Sequence, residues 1–197
     1  MRWERFFEDL EDQLDSEWEA ERAALDTEAE RVRLSRILLR ERLVALAAGS
    51  ADLSLELGEG TVLAGRLEAV GSDWAALASS AARPVTSLIP LRAVAGMALS
   101  HAHVLSSARE ASAGPAMRQR MSFGFVLRDL ARRRVPVTVE AGARVYSGTI
   151  DRAGADHLDI ALHDLGAPRR ADALLGHRIV SFAAVAWVRP DVPGFAA

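Results

Sequence analysis

Arg118, Arg120, Arg128, Arg132, Arg133 and Arg134 form the densest basic segment of this 197-residue chain. Guanidinium groups so close together suit contact with successive phosphates of RNA or DNA, an interaction whose affinity falls with salt. Two other accounts fit the same residues. Arginines at a helix C-terminus complement its dipole and solubilise an exposed face, or they pair with the acidic segment of residues 4–30, within one chain or between subunits. Asp73 and Asp156 follow Gly71-Ser72 and Gly154-Ala155. They read as turn residues whose carboxylates cap backbone amides beside a glycine, with a ligand contact made twice as the alternative. His101 and His103 stand two apart past the first set of strands, and His157, His163 and His177 lie near Asp156, Asp159 and Asp164. A zinc site needs three or four ligands, and no third ligand can be named for any of these, so the histidines read as solvated loop residues and no metal is expected. There is no Gly-x-Ser-x-Gly, no phosphate loop ending in Gly-Lys and no Gly-x-Gly-x-x-Gly. Gly58-Glu59-Gly60 reads as a hairpin turn, since no helix start follows it. The chain has no cysteine, which excludes disulfides, thiolate catalysis and cysteine metal sites together. Neither enzymatic activity nor a cofactor is expected.

All 24 basic residues are arginine, a usage that fits GC-rich codons together with abundant Ala, Val, Gly and Leu. Residues 1–30 carry 12 carboxylates against three arginines, whereas residues 31–197 carry 21 arginines against 15 carboxylates. The net charge of −3 therefore conceals a strongly dipolar chain. Half the residues are apolar, enough for one full core or two small ones. No run approaches the roughly 20 apolar residues of a membrane span, and the acidic start lacks a signal peptide's basic beginning, so a cytoplasmic protein with no membrane association is expected.

The elements that must position these residues follow from periodicity. No Gly or Pro occurs before Gly49, and apolar residues recur at spacings of three, four and seven, which predicts one long amphipathic helix or two coaxial ones over residues 1–48, with a break around Glu17 to Arg22. Trp3, Phe6, Phe7, Leu10 and Leu14 form a stripe that predicts a homo-oligomer interface or a protein partner for this helix. From Leu53 the period changes to two, with glycine turns every few residues, which predicts a small antiparallel barrel over 49–105. Residues 106–121 read as a linker. Phe123, Val126, Leu127 and Leu130 predict a second helix with Ser122 as its N-cap, followed by strands, so that 122–191 is helix plus second barrel and 192–197 a tail. Two stretches look alike: Gly65 to Trp74 matches Gly148 to His157, and Leu88 to Gly96 matches Ile179 to Trp187 with an eight-residue insertion between. That similarity predicts an internal repeat, one unit copied.

A helix followed by about five short bent strands, with Gly60-x-x-x-x-Gly65-x-Leu67 near the middle, resembles the Sm-like branch of the SH3-type small barrels. The resemblance implies an α+β fold in which a long N-terminal helix precedes two five-stranded Sm-like or SH3-like barrels, the second with its own helix. The residues with which Sm proteins grip RNA bases have no counterparts at the matching positions here, so the resemblance implies fold and not RNA recognition. The start, Met1-Arg2-Trp3-Glu4-Arg5-Phe6-Phe7-Glu8-Asp9-Leu10-Glu11, resembles a family of uncharacterised proteins from high-GC Gram-positive bacteria, some labelled Fis-type regulators. The expected function is a non-enzymatic binding or assembly module, nucleic-acid-associated through the arginine segment. The alternatives are a protein-interaction scaffold using the N-terminal helix and, from the enzyme class, a hydrolase or ligand-binding protein with a cleft between barrels.

Overall fold

The computed structural model describes residues 2–58, 60–81, 84–109, 116–165 and 174–191; within the N-terminal helix the described side chains are those of Gln13, Trp18, Glu19 and residues 21 onward. The chain forms two compact units, Met1–Leu38 and Leu39–Ala197. The first is α1, Arg2–Arg36, 35 residues free of Gly and Pro. It runs without interruption through Glu17 to Arg22, and the helical stretch stops at Ile37 and Leu38 instead. Pairs one turn apart, Glu28 with Arg31 and Glu30 with Arg33, support it locally. Trp3, Phe6, Phe7, Leu10 and Leu14 lie in α1 by backbone, and their side chains lie outside the described residues.

The second unit opens with α2, Leu39–Ala48, which ends at Gly49 and at Ser50 in the left-handed region. The strands β1 (Asp52–Leu57), β2 (Val62–Val70), β3 (Trp74–Ala78), β4 (Thr86–Pro90) and β5 (Val94–Ala98) follow. Helices α3 (His101–Ser107), α4 (Ala116–Arg120) and α5 (Phe123–Arg132) come next, and then β6 (Pro136–Ala141), β7 (Arg144–Ala153), β8 (His157–Leu162), β9 (Gly176–Ser181) and β10 (Val185–Pro190). The stretch 179–187 is thus not one strand, because a 3-10 turn at Phe182–Ala184 separates β9 from β10, as Leu91–Ala93 separates β4 from β5. Residues 110–115 of the expected linker, 166–173 of the expected insertion loop and the tail 192–197 lie outside the described residues.

All ten strands belong to a single sheet in the order β5-β1-β2-β3-β4-β10-β6-β7-β8-β9, and every pairing is antiparallel. This overturns the expectation of two separate Sm-like or SH3-like barrels arranged as tandem repeats. The architecture is one open sheet with edges at β5 and β9. The reason lies in β4 and β10. Every residue of β4 is buried, the signature of a strand covered on both faces. Its outer edge takes β10 as neighbour, with Val188 opposite Leu88. A strand so occupied cannot turn back to close a barrel with β5.

The sheet bears two hydrophobic cores that interlock at this junction. One lies under α2 and gathers Leu43, Leu46, Leu55, Leu67, Leu77 and Ile89, but also Ala186 and Trp187 from β10. The other lies under α5 and gathers Phe123, Leu127, Leu130, Val139, Ile150 and Ile160, but also Trp74, Ala76 and Leu88 from the other half. Each core thus includes side chains from the far side of the β4–β10 seam. Two glycines set how closely strands approach. A Cβ on Gly65 would stand 2.0 Å from the Ala78 carbonyl oxygen, and one on Gly148 would stand 2.0 Å from that of Ala161, so only glycine allows β2 and β7 to cross their neighbours there.

Candidate functional site

The arginine segment is held in place from its N-terminal side by the turn between β2 and β3. The Met121 carbonyl oxygen accepts from the Ser72 amide at 2.9 Å, the Ser72 hydroxyl at 3.1 Å and the Trp74 indole at 2.9 Å. Arg40 on α2 donates to the carbonyls of Gly71 (2.8 Å) and Gln119 (3.0 Å), tying α2, the turn and α4 together. The Phe123 amide donates to the Asp73 carboxylate at 2.6 Å, and the Phe125 amide donates to the Ser122 hydroxyl at 3.2 Å. Two of the four amides left over at the start of α5 are satisfied in this way, one by its own N-cap and one by a residue from a distant turn. The Phe123 ring is buried against Phe182, edge to face at 5.8 Å, with the Arg92 guanidinium 5.8 Å from its centre. Burial lowers the Arg92 guanidinium below the usual arginine range, and the Asp73 carboxylate opposes that shift.

With its apolar face buried, α5 presents its arginines on the other side and at its end. The Arg128 guanidinium donates to the Gly154 carbonyl at 3.3 Å and remains exposed. Arg132 and Arg133 both hydrogen-bond to the one carboxylate of Asp129, yet the Arg132 side chain keeps 80% of its exposure. Arg134 follows in the left-handed region and is exposed. Four guanidinium groups and one carboxylate therefore crowd the last two turns of this helix and the turn after it. Arg120 is exposed on α4, while Arg118, partly buried, lines a cleft of about 190 Å³ with Val44, Ala47, Glu68 and Val70. The six expected residues thus divide between two places: Arg128 to Arg134 at the end of α5, and Arg118 with Arg120 on α4.

Asp73 and Asp156 do different things. Asp73 caps a distant helix, whereas exposed Asp156 binds its neighbour, with His157 Nδ1 at 2.8 Å holding its carboxyl below the usual range. The histidines depart from the expectation of a uniform solvated set. His101 and His103 lie on α3 and not in a loop, and a spacing of two puts them on different sides of a helix. His163 is only 2% exposed and has both ring nitrogens occupied. Its Nδ1 donates to the Asp164 carbonyl, 3.0 Å away, and its Nε2 pairs with the Thr149 hydroxyl at 2.8 Å. His177 stands 3.8 Å from Asp151. Among the described residues no three potential metal ligands come together.

A second polar cluster, not singled out in the sequence, sits on the β4–β10 seam. The Arg189 guanidinium stacks 4.0 Å from the Trp187 ring and donates to the Ser87 hydroxyl at 2.9 Å. Burial lowers it below the usual range, with Glu140 opposing, and Glu140 in turn accepts from the Thr61 hydroxyl at 2.7 Å. These partners are up to 102 residues apart, so no local spacing could have disclosed them. The cluster pins three strands.

Comparison with models of known families, with curated proteins and with solved structures gives no match for this chain. Among the described residues no helix is long and apolar enough to cross a membrane.

Proposed function

We propose that this chain is a non-enzymatic binding module that presents the C-terminal end of α5 to the phosphate backbone of a nucleic acid. The observation that carries this reading is the clustering there: Arg128, Arg132, Arg133 and Arg134 stand exposed at the end of α5, Arg132 and Arg133 bonded to Asp129 and Arg128 to the Gly154 carbonyl, while the opposite face of the helix is anchored in the core. A rigidly mounted cationic end can neutralise several phosphates without reading base sequence. The dipole of α5 supports the same arginines in the free protein, so the two roles coexist. The test is titration of the full chain with a fluorescent RNA and a duplex DNA over a range of salt concentrations. Binding that weakens steeply with salt supports the reading, and absence of binding at about 50 mM salt refutes it.

A second reading, a protein-interaction scaffold, is favoured by one feature of α1. Trp18, Leu25 and Val32 recur at intervals of seven and are all exposed. An exposed apolar line at that interval supports packing against another helix. Light scattering of the full chain against a variant with Trp18, Leu25 and Val32 replaced by Glu tests it, since loss of mass is expected only if that line is used.

A further inference from the structure

We infer that the cleft between α2, β2 and α4 binds a small zwitterion with an aliphatic body, of the kind that free valine or leucine represents. This site is separate from the end of α5 and does not depend on the role given to it. The cleft holds about 190 Å³, less than the roughly 300–1,000 Å³ that larger ligands fill, so it suits a molecule of a few carbons. Three kinds of chemistry line it. Val44 and Ala47 of α2 and Val70 of β2 supply apolar surface, Glu68 of β2 a carboxylate, and Arg118 of α4 a guanidinium.

The carboxylate is placed there by an irregularity of the strand. In the pairing of β2 with β3, Leu67 faces Leu77 and Ala69 faces Ala76, so Glu68 is one residue more than β3 can match. A bulge of this kind re-aims the side chain it carries. Glu68 stays exposed and accepts a long hydrogen bond of 3.4 Å from the Thr86 hydroxyl, which leaves acceptor sites open on its carboxylate. On the other wall Arg118 is partly buried, and its guanidinium has no hydrogen-bond or ion-pair partner among the described residues. A cation taken partly out of water without a partner favours an anion beside it. Glu68 and Arg118 line one cleft yet form no ion pair with each other, so a ligand carrying both charges can stand between them. An α-amino acid bears ammonium, carboxylate and side chain on a single carbon. Its ammonium meets Glu68, its carboxylate meets the fork of Arg118, and its aliphatic side chain meets Val44 and Ala47. The walls are already set in place. Arg40 of α2 donates to the carbonyls of Gly71 and Gln119, and the Met121 carbonyl accepts from the Ser72 amide and the Trp74 indole, so little ordering is left for the ligand to impose.

Amide shifts of the full chain in NMR, followed in separate titrations with L-leucine, isovalerate and isoamylamine, resolve the part played by each charge. L-leucine is expected to shift the amides of Ala47, Glu68, Val70 and Gln119 saturably with a Kd below about 1 mM, and the two analogues, each lacking one charge, to bind roughly tenfold more weakly or worse. Arg118→Gln and Glu68→Gln are each expected to weaken leucine binding roughly tenfold or more. An unchanged spectrum away from the cleft shows that each variant keeps the fold, and the analogues test the native chain without any substitution. No saturable shift with L-leucine at about 10 mM, an analogue that binds as tightly as leucine, or native affinity in either variant overturns the proposal, whatever the outcome with nucleic acid.

Discussion

The Asp73 carboxylate accepts a hydrogen bond of 2.6 Å from the amide of Phe123, so that a turn between two strands caps a helix fifty residues further on. This contact joins the sheet to the element that bears the basic cluster. Removing a carboxylate cap costs about 1 kcal/mol and up to about 2. Asp73→Ala is therefore expected to lower the unfolding free energy by that amount in a denaturant titration. Asp156→Ala, at an exposed pair with its neighbour, should leave it within the scatter of the measurement. Equal effects would show that the two aspartates share a role.

Gly65 and Gly148 offer a sharper contrast. A Cβ at either stands 2.0 Å from a carbonyl oxygen of the adjacent strand, where backbone must move, whereas one at Gly58 meets nothing within 4 Å. Gly65→Ala and Gly148→Ala should each cost at least the about 1–3 kcal/mol of an overpacked site. Gly58→Ala should be near neutral by thermal melting.

The spacing Gly71-Ser72-Asp73 was legible as a capping turn, but not which amide it caps, because Phe123 is distant in sequence. Ser122 and the run Phe123, Val126, Leu127, Leu130 disclosed α5 completely, since an amphipathic helix and its cap are local properties. The sheet was legible as a run of short strands, though Ile179 to Trp187 proved to be two of them, and it was misjudged as a whole. Alternation and glycine turns indicate that strands pair with their neighbours, and nothing local states whether β4 closes back on β5 or accepts β10. The Leu88-Ile89 step, apolar toward both faces, hints only that β4 is covered on both sides. His163 was misread for a related reason: a histidine near a strand end looks the same in sequence whether a threonine on the neighbouring strand is waiting for it or water is.

That pairing yields its own expectation. Thr149→Val removes the hydroxyl facing His163 Nε2 and leaves a buried ring nitrogen without a partner, which costs about 1–3 kcal/mol. Chemical denaturation at neutral pH reads it directly. A change under about 0.5 kcal/mol would mean that water reaches the ring.

The hydrogen bond from His157 holds the Asp156 carboxyl below its ordinary value of about 3.9. A carboxylate whose folded value is depressed adds stability that is fully present above the unfolded value and is lost as pH falls through the folded one. Side-chain NMR titration should therefore find Asp156 titrating below the usual range in the native protein, and His157→Ala should return it upward. No movement on removing His157 would refute the attribution.

The salt dependence of nucleic-acid binding by the intact chain, set against that of a variant with Arg132, Arg133 and Arg134 replaced by Ala, tests the role of the α5 end most directly. Each phosphate contact contributes about 0.9 to the slope of log affinity against log salt on duplex DNA. The native chain is expected to bind at about 50 mM salt, and the variant to bind more weakly with a slope flatter by roughly 2–3. A native chain that does not bind under those conditions, or a variant with the same affinity and slope, would contradict the assignment of the α5 end to a phosphate backbone.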